Sequence, residues 1–276
     1  MRTRAMFNAL GVLVFVLAVF PVFWMVSTAF KPNDEIFSST PKPLPADPTV
    51  RHFDFVLNGR IAETSFWSYF GNSLLLALGT VVVSGLLAVL AATAVARFRF
   101  TFRTTFLVML LVVQMVPLEA LVIPLFLDLK RLTLLDSLVG LSIVYIGFAL
   151  PFSIWMLRGF VAAVPRELEE AAAIDGAGPV RTFFTVLLPL VAPGLVATSI
   201  FSFITAWNEF IFAFTFLDDQ SKYTLPIMMQ YFFGRGGNEW GPIMAASTLL
   251  SLPVIVFFLL VQRRMVSGLT SGAIKG

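Results

Sequence analysis

The sequence predicts an all-α integral membrane protein of six transmembrane helices. Three observations predict it. Of the 276 residues, 58% are hydrophobic and only 13% are charged, with a mean hydropathy of +0.89. A soluble domain carries about 25% charged residues, so this chain has too few to cover a water-facing surface. The charges cluster between apolar runs near the roughly 20 residues that cross a hydrocarbon core. In lipid every backbone N–H and C=O must be satisfied within the chain, so apolar runs of this length are helices.

The spans are expected over 10–29, 70–96, 104–127, 134–157, 191–217 and 242–261. Together they form a single transmembrane domain over residues 1–276. The first run follows Arg2 and Arg4 and could be a signal peptide. It is longer than a typical signal core and lacks a clear small-residue cleavage site, so a retained helix is expected. Pro117 and Pro124 should kink the third span. Between them Glu119 is either a gate carboxylate or, as we favour, a group at a structural bend reaching the outer interface.

Orientation follows from Lys and Arg. With the N-terminus inside, the inner segments hold Arg2, Arg4, Arg97, Arg99, Arg103, Arg158, Arg166, Arg181, Arg263, Arg264 and Lys275, which is 11 of the 19 basic residues. The other eight are spread over longer outer loops. Both termini are therefore expected in the cytoplasm. The longest outer loop, 31–67, is expected over the external face.

Composition also excludes chemistry. There is no cysteine, so no disulfide and no thiolate metal site. The lone histidine, His52, sits in a polar stretch expected to be loop, which argues against a metal site of the usual kind. The net charge of +3 comes from basic residues at span ends, a pattern that orients spans and does not suit nucleic acid. No nucleophile–base–acid constellation is visible, so the chain is not expected to be an enzyme.

One segment, 164–189, is too polar to span. Pro165 suits the first turn of a helix, where its missing N–H costs nothing. Glu167, Glu169 and Glu170 complement the positive helix end. Ala171 to Ala173 favour helix, and Gly176, Gly178 and Pro179 end it. A second short helix is expected over 180–188, with Pro189 and Pro193-Gly194 punctuating the start of the fifth span. Residue chemistry leaves two readings open here. One is a solvated loop that happens to be helical. The other is a stiff helix projecting into a partner's groove.

The spacing in this segment carries a resemblance. Glu170-Ala171-Ala172 is followed after three residues by Gly176, and after nine more by Val186-Leu187-Leu188-Pro189. This resembles the Glu-Ala-Ala, Gly, Ile-x-Leu-Pro signature of binding-protein-dependent ABC importer permeases, departing only by Val for Ile. Ala206-Trp207-Asn208-Glu209-Phe210 and the tail 268–276 resemble the carbohydrate branch, in particular the second permease subunit of maltose-type systems.

The resemblance implies a type I ABC importer permease in a bacterial or archaeal cell membrane. Its implied partners are a homologous second permease, an ATPase dimer and an extracytoplasmic sugar-binding protein, with a carbohydrate as substrate. It also implies that Glu170, Ala171, Ala172, Asp175, Gly176 and Pro189 couple the spans to the ATPase, and that the tail 267–276 follows the ATPase dimer. ATP and Mg would be bound by the partner, and no cofactor by this chain. Consistent with that, none of its five lysines sits in a Gly-x-x-x-x-Gly-Lys-Ser/Thr loop.

The fifth span adds a polar stripe. Thr198, Ser202, Thr205 and Glu209 are spaced by four, three and four, on one helical face. Thr198 and Ser202 are expected to join helices. Thr205, Trp207, Asn208 and Glu209 are candidates for the translocation pathway, Trp207 by stacking on a sugar ring and Asn208 or Glu209 by binding hydroxyls. The alternative is an ion-coupled secondary transporter. Its usual inverted repeats with broken helices are not evident, and membrane carboxylates are few, mainly Glu119 and Glu209.

Overall fold

The computed structural model describes residues 2–234 and 237–273. Two compact units are present, Met1–Tyr69 with Leu225–Pro253, and Phe70–Thr224 with Val254–Gly276. Among the described residues five helices are long and apolar enough to cross a membrane, or six when one bent pair counts as a span.

In the first unit, α1 (Arg2–Ala29) carries the apolar stretch Met6–Ala29, and no part of its most apolar window is buried within the chain. A helix apolar on every side suits lipid. After it come α2 (Asn33–Ile36), α3 (Arg51–Asn58) and the hairpin β1 (Arg60–Ile61) and β2 (Thr64–Ser65). The two hairpin turn residues, Ala62 and Glu63, both have positive φ, as a two-residue primed turn requires. The expected outer loop thus holds two short helices and a hairpin. His52 is not a loop residue: it lies in α3 and is buried, with its Nε2 2.9 Å from the Lys31 carbonyl oxygen. Gly241 makes room for it, since a Cβ there would collide with the imidazole ring. Lys31 is itself buried; its ammonium donates to the Lys42 carbonyl and sits 4.3 Å over the Trp24 ring. α12 (Leu225–Met229), the hairpin β3 (Phe233–Gly234) and β4 (Gly237–Asn238), and the first part of α13 (Trp240–Ala273) complete this unit.

The second unit holds most of α4 (Phe66–Arg97), then α5 (Arg103–Gln114) and α6 (Val122–Arg131). The third span is not one helix over 104–127. α5 and α6 meet at 96° through a 3₁₀ turn, Leu118–Leu121. Pro117 has extended backbone there and no N–H to donate, so the helical ladder stops at the residues before it. Glu119 is exposed in that turn.

α7 (Leu138–Ala163) starts on Ser137, whose hydroxyl accepts from the Val139 and Gly140 N–H groups. It runs six residues beyond its expected end. Next come α8 (Glu167–Ile174), α9 (Pro179–Thr182), a π turn (Phe183–Leu187), α10 (Leu188–Trp207) and α11 (Ile211–Phe216). The expected fifth span, 191–217, is displaced: the apolar helical stretch runs Pro179–Trp207 and breaks at 208–210. Pro189 and Pro193 do not punctuate it but lie inside it. Pro189 cannot donate to the residue one turn back, and the wide π turn just before it absorbs the missing bond.

The core of this unit joins Ala88, Val89, Ala92 and Ala96 of α4 to Ile154, Leu157 and Val161 of α7 and Val191 of α10. Alanines let the backbones approach. Gly194 does the same: a Cβ there would collide with the Phe160 ring. Ser153 and Ser202 meet across α7 and α10 with their oxygens 3.5 Å apart.

Candidate functional site

The polar segment after α7 builds one candidate site. The helix does not open on Pro165; it opens at Glu167, with Arg166 as N-cap. Glu167, Glu169 and Glu170 occupy its first turn, where carboxylates complement the unpaired N–H groups. Its end is a Schellman motif: the Ala177 N–H donates to the Ala172 carbonyl and the Gly176 N–H to the Ala173 carbonyl. Gly176 takes φ +82° to make that turn, a conformation costly for residues with a Cβ. Glu170, Ala171, Asp175 and Gly176 are exposed and Ala172 is half-buried. Pro189 is exposed in the first turn of α10. Large apolar side chains are also bare, with Ile174 87% and Val180 72% exposed and Leu168 and Phe184 about half so. Leu168 and Ile174 are bare on the polar helix itself, while Val180 and Phe184 belong to the start of the apolar stretch Pro179–Trp207.

A tie that the sequence did not reveal holds this segment. Arg97, the last residue of α4, donates from Nε to Glu169 Oε1 at 2.7 Å and from Nη2 to the Val164 carbonyl at 2.9 Å. Nη2 also lies 2.6 Å from Glu169 Oε1. Arg166 returns a bond from Nη2 to the Arg97 carbonyl at 3.0 Å. In the sequence Arg97 reads only as an orienting charge, and nothing near it marks a partner 72 residues on.

The second candidate region is the break after α10. Trp207 is 1% exposed, its ring stacked 5.5 Å from Phe203 and edge-on to Phe70 at 5.9 Å. The ring expected to offer a face to a sugar packs inside this chain. Thr205 is half-buried, while Asn208 is exposed with its amide donating back to the Ile204 carbonyl. Glu209 is occupied by its own backbone. Its carboxylate accepts from the Phe212 and Ala213 N–H groups at 2.8 and 3.1 Å, and from the Tyr145 hydroxyl at 2.5 Å. A carboxylate here satisfies the first N–H groups of α11, which the break leaves unpaired.

At the end of this unit away from α8, the loops before α7 and after α11 are knotted. Asp136 accepts from the Asp218 and Asp219 N–H groups and from Lys222 Nζ at 2.6 Å. Burial raises the Asp136 carboxyl, but these hydrogen bonds and the Lys222 charge outweigh it and hold it below its ordinary value. The hydrogen bond to Asp136 raises the Lys222 ammonium. Asn72 donates to the Ser221 and Tyr223 carbonyls.

A family model described as binding-protein-dependent transport system inner membrane component matches residues 84–271. The diacetylchitobiose uptake system permease protein DasC of Streptomyces coelicolor is 43% identical, over 98% of this chain and 96% of its own. The trehalose transport system permease protein SugB of Mycobacterium tuberculosis is 36% identical over 100% and 99%. The trehalose/maltose transport system permease protein MalG of Thermococcus litoralis is 35% identical over 96% and 95%. A chain in a crystal structure of a bacterial ABC transporter involved in alginate import superposes with TM-score 0.79 at 23% identity, covering 95% of this chain and 96% of that one. At that identity the likeness is one of fold alone. The signature residues 170–189 fall inside the matched region, and this chain belongs to the family of binding-protein-dependent transport system inner membrane components.

Proposed function

We propose that this chain is one of two permease subunits of an importer that carries a carbohydrate and is driven by ATP hydrolysis in a separate subunit. The observation that carries this is the projecting α8. It is a capped, anchored helix whose Glu170, Ala171, Asp175 and Gly176, with the apolar Ile174 and Leu168, are exposed among the described residues. Such a surface fits a groove in an ATPase pair. ATP and Mg belong to that partner. The carbohydrate class rests on what the relatives carry, which are diacetylchitobiose, trehalose and maltose by name. An external sugar-binding protein and a homologous second permease complete the assembly. In this reading both termini and α8 are cytoplasmic, by the placement of Arg97, Arg99 and Arg103. The side chains of the tail 267–276 lie outside the described residues. Thr205 and Asn208 are the pathway candidates left accessible; Glu209 acts there by holding the break open.

The test is reconstitution in liposomes with the candidate ATPase, second permease and binding protein. Substrate-stimulated ATP hydrolysis and sugar uptake are expected together. Uptake that persists without the ATPase and follows an ion gradient would instead establish a secondary transporter.

A further inference from the structure

We propose that Arg97 is a positioning residue that delivers the motion of α8 to α4, so that the second span is driven directly and not only through the chain connections to α7 and α10. This rests on the reading of α8 as the ATPase seat.

Both backbone joints of α8 are non-helical. On one side Val164 is extended and precedes Pro165. On the other Gly176 adopts φ +82° and Gly178 is extended. Neither joint continues a helical ladder, so α8 does not form one continuous rod with α7 or α10. The side-chain clasp supplies what the joints lack. One guanidinium holds the helix through Glu169 and the upstream joint through the Val164 carbonyl, and Arg166 holds the end of α4 in return. The Arg97 side chain is only 10% exposed and that of Glu169 24%, so water does not compete freely for the pair. The planar fork reaches two acceptors at fixed angles, which a lysine ammonium does not reproduce. Glu169 is thereby distinguished from Glu170, its exposed neighbour, which is left to face a partner.

α4 carries this contact to the far end of the unit. From Arg97 back to Asn72 it runs about 37 Å at 1.5 Å per residue. There Asn72 grips the Ser221 and Tyr223 carbonyls at 2.8 and 3.0 Å. A displacement taken up at Arg97 therefore arrives at the loop that follows α11.

The experiment compares sugar transported per ATP hydrolysed in the reconstituted complex for Arg97→Gln, Arg97→Lys, Glu169→Gln and the swap Arg97→Glu with Glu169→Arg. Arg97→Gln and Glu169→Gln are expected to lower the ratio about fivefold or more, the lower end of usual coupling strengths. The ATPase should still co-purify. Arg97→Lys should fall between, and the swap should recover part of the loss. In the isolated full chain, hydrogen exchange of 164–175 should rise in Glu169→Gln while that of α7 and α10 stays put. If Arg97→Gln disrupts the spans, Glu169→Gln, which lies outside them, decides. An unchanged transport-to-ATP ratio in Glu169→Gln overturns the role of Arg97. Gly176→Asp separates the two ideas: if it leaves the ATPase bound and coupled, the seat itself is misassigned, whatever the Arg97 variants do.

Discussion

At the scale of single residues, Gly176, Glu209 and Trp207 each make a distinct demand. Gly176 needs a positive φ, yet a Cβ there would meet nothing within 4 Å. Gly176→Ala should thus cost only the conformational term, about 1–2 kcal/mol locally, and leave the unfolding temperature of the purified chain nearly unchanged. Function lost beyond that in Gly176→Asp must come from a partner. Glu209→Ala strips an acceptor from two backbone N–H groups and from Tyr145. It should destabilise the chain by about 1–3 kcal/mol, read as thermal unfolding in detergent, and equal stability would refute the capping role. Trp207→Ala empties a packed site next to Phe203 and should cost about 3–5 kcal/mol. Trp207→Phe is the sharper probe. A raised half-saturating sugar concentration with stability intact would put the ring in the pathway after all.

At the scale of elements, packing and loop electrostatics can be tested separately. α7 and α10 approach where Gly194 faces Phe160, so Gly194→Ala overpacks the contact and should cost about 1–3 kcal/mol. Adding Phe160→Leu should recover part of it; no recovery would mean the strain lies elsewhere. The knot of Asp136 and Lys222 predicts a pH response of the loops before α7 and after α11. Asp136 is lowered, so its contribution is present above the ordinary 3.8 and is lost as pH falls through its lower folded value. Lys222 is raised, so its contribution is present below 10.5 and is lost as pH climbs through its higher folded value. Protection of 217–223 against hydrogen exchange, corrected for intrinsic rates, should be flat between the ordinary values of 3.8 and 10.5 and fall outside them. Asp136→Asn should shrink the acid limb to the part due to Asp219, whose carboxyl the Ser221 hydrogen bonds also hold low.

At the scale of the whole molecule, orientation is the property that charge placement alone supports, and it has a direct check. The chain has no cysteine, so Thr101→Cys and Ser38→Cys, both exposed sites, give clean single labels. In intact cells an impermeant thiol reagent should reach Ser38→Cys and not Thr101→Cys; the reverse pattern would invert the topology. The sequence by itself determined the membrane class, the number of apolar runs and the position of the signature loop. These depend on composition and local spacing, which do not change on folding. The acidic first turn and the glycine end of α8 were equally legible, because Glu167, Glu169 and Gly176 act within one or two turns of their own backbone, though its start at Glu167 and not Pro165 was not. Only the tertiary structure decided the rest. Pro117 and Pro124 announced a kink, but not that α5 and α6 would meet at 96°. Pro189 and Pro193 signalled a break where a π turn and the packing of α7 kept the helix whole. Trp207 and Glu209 were legible as unusual residues in a span but not as a packed ring and a cap, since their partners Phe70 and Tyr145 lie far off in sequence. The clasp of Arg97 on Glu169 was hidden for the same reason. A salt bridge between residues 72 apart depends on two helices ending side by side, and spacing along the chain does not encode that.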